Sequence, residues 1–156
     1  MRYRRPMRTL IVMVCVMSVV AACSKVEEYR NKSKRTEAQV QLNKLAKDLK
    51  TAYIANAEFP KGKAATLPES TGAACCPDKC KVSTAWASDP VWSALDFSID
   101  EPTLFRYSYD SDGKTFKATA VGDLDCDGTV ITYTLTGTAK DGNPETRLEE
   151  PAPNAD

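Results

Sequence analysis

Two cysteines stand side by side at Cys75-Cys76, with a third at Cys80 and a fourth far downstream at Cys126. This spacing constrains the fold more than any other feature of the chain. In an oxidising compartment an even set of four reads as two disulfides. Joining Cys75 to Cys76 would demand a very tight ring, far from relaxed disulfide geometry. One of the adjacent pair is therefore expected to reach Cys80 and the other Cys126. A link closing about 50 residues, such as Cys76 to Cys126, would stabilise the fold by about 4 kcal/mol in the chain-entropy model. A cysteine-only zinc site is the rival arrangement, and export makes it the poorer one.

The compartment is read from the N-terminus. Arg2, Arg4, Arg5 and Arg8 precede an uncharged, largely apolar run from Thr9 to Ala22. Basic residues followed by a short apolar run make an export signal, and the run is too short to span a bilayer core of ~30 Å comfortably. Val20-Ala21-Ala22-Cys23 resembles the lipobox of bacterial lipoproteins, which implies cleavage before Cys23 and lipidation of its thiol. Several acyl chains on one residue hold a protein durably at a membrane. The expectation is a signal peptide over 1–22, an anchor at Cys23 and a domain outside the cytoplasm, held to the inner or outer membrane.

Cleavage removes four of 21 basic side chains, leaving 17 against 21 acidic ones and a net charge of −4. That balance gives no footprint for nucleic acid. Histidine is absent from all 156 residues. The commonest general base and zinc ligand is therefore missing, which argues against triads, dyads and most transition-metal sites.

Along the mature chain, Ser24 to Glu58 contains neither glycine nor proline. Ala38, Leu42, Leu45, Ala46, Leu49, Ala52 and Tyr53 recur at steps of three and four, one stripe of an amphipathic helix. The preceding stretch, 23–37, is highly charged and offers only Val26 and Tyr29 as anchors, so it reads as a membrane-proximal helical stalk with a solvated face. Phe59-Pro60 marks the helix end. Residues 60–89 read as loop, and Asp89-Pro90 opens a short helix through Val91, Trp92 and Leu95. Period two then takes over. Phe105, Tyr107 and Tyr109 form a first strand, Asp110-Ser111-Asp112-Gly113 a turn, Phe116, Ala118 and Ala120 a second strand, and Thr129 to Thr136 a third. The stretch 141–156 carries three prolines and four acids beyond Asp141, and is expected to be a disordered tail. The predicted fold is α+β, with a long N-terminal helix packed on three or four antiparallel strands as a head over 38–140.

Tyr29-Arg-Asn-Lys-Ser-Lys-Arg-Thr-Glu-Ala-Gln-Val-Gln-Leu-Asn-Lys-Leu45 resembles the stretch of type IV pilins where the helix enters the globular head. Tyr53 and Phe59-Pro60 follow where such proteins often carry an aromatic and an aromatic-proline pair. Trp92-Ser-Ala-Leu-Asp-Phe97, Phe105-Arg-Tyr-Ser-Tyr109 and Ala118-Thr-Ala-Val-Gly-Asp-Leu-Asp-Cys-Asp-Gly128 are similar to pilin-like and pseudopilin-like heads with a comparable cysteine cluster. The resemblance covers roughly Tyr29 to Gly137. It implies a structural or interaction protein associated with type IV pili or type II secretion-like machinery. The chain departs from that family at its start, because no glycine precedes Thr9-Leu10-Ile11 and no glutamate follows. A lipobox stands where the polymerising half-helix of a pilin would continue.

Asp123-Leu-Asp125-Cys-Asp127-Gly128 places carboxylates at alternate positions before a glycine, the opening of a calcium loop. Counting Asp123 as position one, Thr134 falls where an EF-hand needs a bidentate glutamate, so that motif is excluded. A looser Ca²⁺ site completed by Asp110 or Asp112 competes with a plain acidic turn closed by Cys126. Trp86, Trp92, Tyr107 and Tyr109 could form a ligand platform, and core packing explains them more simply. There is no nucleophile motif and no phosphate-cradling glycine loop. No carboxylate pair is singled out for glycoside chemistry. The reading is a non-enzymatic envelope lipoprotein, with a surface adhesin or ligand-binding lipoprotein as the alternative.

Overall fold

The computed structural model describes the backbone of residues 6–153 and 155, and side chains from residue 29 onward apart from 31, 154 and 156. The expected leader over 1–22 and the lipid-bearing Cys23 lie outside the residues whose side chains are described. Two units are present, Met1–Ser33 and Lys34–Asp156. Helix α1 covers Pro6–Asn56. In the first unit Tyr29 is exposed. Among the described residues no helix is long and apolar enough to cross a membrane.

The second unit is dominated by one antiparallel sheet, β1 (Gly62–Lys63), β2 (Phe105–Ser111), β3 (Thr115–Gly122), β4 (Ile131–Lys140) and β5 (Asn143–Glu149), paired in that order. Two short helices, α2 (Ala85–Ser88) and α3 (Pro90–Ala94), lie between β1 and β2. The alternation that defines the strands also sorts their faces. Phe105, Tyr107 and Tyr109 on β2, Phe116, Ala118 and Ala120 on β3, and Ile131, Tyr133 and Leu135 on β4 are all buried. They share one core with Ala38, Leu42, Leu45, Ala46 and Leu49 of α1, which is what the helical stripe requires.

The expectation of a long N-terminal helix packed on three or four strands is corrected. The sheet has five strands, and among the described residues the buried side chains of α1 run from Ala38 to Leu49. Two strands carry no legible alternation of hydrophobicity. β1 is two residues long, and β5 sits in the stretch expected to be a disordered tail. Asn143–Glu149 instead pairs with β4 along its length, from Lys140↔Asn143 to Thr134↔Glu149. The turn between them holds Asp141 at φ 51° and Gly142 at φ 79°, the left-handed pair that a two-residue hairpin needs. Backbone pairing does not require apolar side chains, so composition alone mistook this strand for a tail.

Small residues let large ones lie flat against the sheet. A Cβ on Gly137 would stand 2.0 Å from the Phe116 ring, which covers it from the opposite strand position. Phe105 covers Gly122 in the same manner. The core beneath α2 and α3 is aromatic: Trp86 and Trp92 meet edge-on at 5.1 Å, and each contacts Phe97. Asp89 caps α3, accepting from Val91 N–H at 2.9 Å and Trp92 N–H at 3.0 Å. It also accepts from Ala65 N–H at 2.8 Å, joining the cap to the loop after β1. Burial pushes the Asp89 carboxyl up, but these three donors outweigh it and hold the group below the usual carboxylate range.

The boundary between stalk and head also moves. Lys34, Arg35 and Glu37, expected on a solvated stalk, belong to the second unit. Lys34 donates to the Leu124 carbonyl, and Arg35 donates to the carbonyls of Ala152 and Ala155. Glu37 accepts from the Thr103 hydroxyl and, at 2.9 Å, from Leu104 N–H. These side chains supply partners to loop backbone, a role with no apolar signature to read in a sequence.

Candidate functional site

The chemistry-bearing residues gather where two loops are tied together. Cys75 is bonded to Cys80, and Cys76 to Cys126. The first bond closes a ring with a sequence separation of 5, and the second spans 50. Cys80 and Thr103 exchange backbone hydrogen bonds at 2.9 and 3.2 Å, fixing the small ring beside the start of β2. Cys126 then holds the loop after β3 against that ring.

Within this loop Asp123 is buried although it is an acid. Its Oδ1 accepts from Cys126 N–H at 2.7 Å and its Oδ2 from Gly128 N–H at 3.0 Å. Asp125 accepts from Asp127 N–H at 3.2 Å, and Asp127 from Thr129 N–H at 2.6 Å. The Thr129 N–H, with its hydroxyl, holds the exposed Asp127 carboxyl below its ordinary range. Cys126 at φ 64° and Gly128 at φ 94° supply the left-handed residues that let the chain fold around Asp123. The alternate acids of the sequence are thus a nest of side-chain-to-backbone turns.

Oxygens of Asp123, Asp125 and Asp127 lie within 4.8 Å of one another, as do ligand atoms of Cys76, Asp123 and Cys126. The second set is not a metal centre, because its two sulfurs are bonded to each other. For the first, the completing residues suggested by the sequence are out of reach. Asp110 and Asp112 lie at the β2–β3 turn, whereas Asp123 follows the opposite end of β3. Eight extended residues separate those ends, about 25 Å. The carboxylates that remain are engaged by backbone N–H groups, and turn closure accounts for their placement.

The aromatic platform is also resolved. Trp86, Trp92, Tyr107 and Tyr109 are all buried. Trp92 Nε1 donates to the Ala65 carbonyl at 2.8 Å and the Tyr109 hydroxyl to the Pro60 carbonyl at 2.8 Å. Burial pushes the Tyr109 phenol up to about 12 and the Tyr107 phenol higher still. These rings are core, with their polar ends satisfied by loop carbonyls or enclosed.

Among the described residues, open cavities lie outside the loop. One of about 430 Å³ is lined by Ser83, Thr84, Trp86, Asp96, Phe97 and Asp100 among others. Another, about 460 Å³, lies by the β2–β3 turn and includes Tyr53, Glu58, Lys61, Asp112 and Lys114. Among the residues lining the first, the Ser98 hydroxyl donates to Asp100 Oδ1 at 3.3 Å; histidine is absent from the chain. On α1, burial pushes the Asp48 carboxyl up; Lys44 counteracts this and Asp96 reinforces it. The sequence signalled the first cavity only through its tryptophans, since the residues around it belong to short irregular segments.

No family model matches the chain, and neither a curated protein nor a solved structure is significantly similar to it.

Proposed function

We propose that this protein is a lipid-anchored, non-enzymatic component of a bacterial cell envelope, acting through protein–protein contacts beside type IV pili or a type II secretion-like apparatus. The observation that carries the reading is the arginine-rich start running through Thr9–Ala22 into Val20-Ala21-Ala22-Cys23. The two disulfides in Lys34–Asp156 fit an oxidising compartment. The resemblance of Tyr29–Gly137 to pilin-like heads supports the choice of partner.

Cys23→Ala should abolish incorporation of a fatty-acid analogue, and persistent labelling of the variant would remove the anchor from the reading. Affinity capture of the wild-type protein from its own envelope should recover pilus or secretion components. The protein should not polymerise alone, because the charged stretch Lys25–Glu37 replaces the apolar half-helix that holds a pilin fibre together. Filaments in cells lacking other pilins, seen by electron microscopy, would refute this.

A further inference from the structure

The sheet ends on β5, a seven-residue strand with no strand beyond it among the described residues. Which of its backbone groups face outward follows from the hairpin. The two-residue turn makes Lys140↔Asn143 a hydrogen-bonded pair, so the pairs at Glu145, Arg147 and Glu149 are hydrogen-bonded too. Pro144, Thr146 and Leu148 therefore direct their main-chain groups away from β4. Pro144 agrees with this parity, since a residue without an N–H fits the outward position. Side chains alternate in the opposite sense. Glu145, Arg147 and Glu149 are exposed, while Pro144, Thr146 and Leu148 are half-buried.

Charged side chains, lysine above all, and proline commonly guard a sheet edge, but charges repel a second copy only where like signs come to face each other. This one carries Glu145, Arg147 and Glu149, with Arg147 Nε 3.4 Å from Glu149 Oε1. Antiparallel pairing of β5 with a second β5 about a two-fold axis at Thr146 sets Glu145 opposite Arg147 of the second copy, twice. In the same register Pro144 faces Leu148 and Asn143 faces Glu149. Thr146 exchanges two hydrogen bonds with its counterpart, and each Leu148 N–H meets a Pro144 carbonyl. The register centred on Leu148 would pair Arg147 with Glu149, but it requires the strand to continue through Glu150 and Pro151. The chain leaves the sheet after Glu149, and Glu150 accepts from Gln39 at 2.7 Å.

The geometry points to β5 as a self-complementary edge through which two copies of this chain pair antiparallel about Thr146, joined by reciprocal Glu145–Arg147 ion pairs. The contact is isologous and closes on itself, so it makes dimers and not filaments. One short strand buries less than a stable interface requires, so the pairing is weak and shows only at high concentration.

The full chain in a mild non-ionic detergent, followed by sedimentation equilibrium from about 10 µM to 1 mM, tests this. Wild type should pass from monomer to dimer across that range. Glu145→Arg and Arg147→Glu should each weaken dimerisation by about tenfold or more, because each sets like charges opposite one another. Mixing the two variants should restore dimers, since their charges are then complementary. Thr146→Pro, which removes an outward N–H, should also weaken pairing while leaving the thermal melt cooperative. A wild type that stays monomeric, a Glu145→Arg variant that still dimerises, or a mixture without recovery would each overturn the proposal.

Discussion

The two ends of β3 carry related turns built differently. At one end Asp112 Oδ1 accepts from Lys114 N–H at 2.8 Å and Thr115 N–H at 2.7 Å. At the other, Asp123 accepts from Cys126 and Gly128. Both loops use an aspartate to satisfy backbone donors, and both use a glycine at positive φ. The first is an exposed hairpin whose strands pair directly from Ser111↔Phe116. The second is a longer excursion between Gly122 and Ile131, with its aspartate buried and its middle bonded covalently to Cys76. A hairpin closes itself through the ladder that follows it. A longer loop needs tertiary support, and here the disulfide and Lys34 provide it.

Breaking the covalent tether should therefore have the largest effect. Replacing Cys76 and Cys126 together by alanine is expected to cost about 4 kcal/mol, against about 2 kcal/mol for the small Cys75–Cys80 ring. Urea unfolding of both double variants would check the order, and equal losses would mean that loop length is not what matters. Asp123→Ala should follow, at about 2 kcal/mol, because it removes the buried carboxylate that accepts from two backbone N–H groups of the loop. Its urea midpoint should fall clearly further than that of Asp112→Ala, whose carboxylate is exposed.

Acidification sharpens the contrast at the exposed end. The N–H groups of Thr115 and Lys114 hold the Asp112 carboxyl below its ordinary value of 3.8. The folded group thus ionises more readily than the unfolded one. Its contribution is fully present above the ordinary aspartate range and is lost as pH falls through the lower folded value. The urea midpoints of wild type and Asp112→Ala should converge as pH falls below the ordinary aspartate range. The smallest expected effect is that of calcium. If turn closure is the whole role of Asp123, Asp125 and Asp127, millimolar Ca²⁺ leaves the melting temperature unchanged. A rise abolished by Asp125→Ala would restore the cation reading.

Where a residue's role is to bury hydrocarbon, the sequence was readable. The stripe from Ala38 to Leu49 and the alternations at Phe105–Tyr109 and Phe116–Ala120 all point into the core. The cap at Asp89-Pro90 was equally legible, because capping depends on residues adjacent in the chain. β5 was not, since its side chains are charged or half-buried and only its backbone ties it to the sheet. Lys34, Arg35 and Glu37 were likewise opaque, because the carbonyls and N–H groups that they serve come from distant loops.

The candidate site divides along the same line. By itself the sequence determined that one of Cys75 and Cys76 pairs with Cys80 and the other with Cys126, because neighbouring cysteines disfavour bonding each other and four must be accommodated. Local spacing left Asp123–Gly128 as either a plain acidic turn or a looser cation site. Only the tertiary structure decided which cysteine goes where, that Asp123 is buried, and that Asp110 and Asp112 are a strand's length away from it. The physical reason is range. Periodicity, capping and turn chemistry act within a few residues, whereas pairing between distant segments depends on which backbone groups the folded sheet brings face to face.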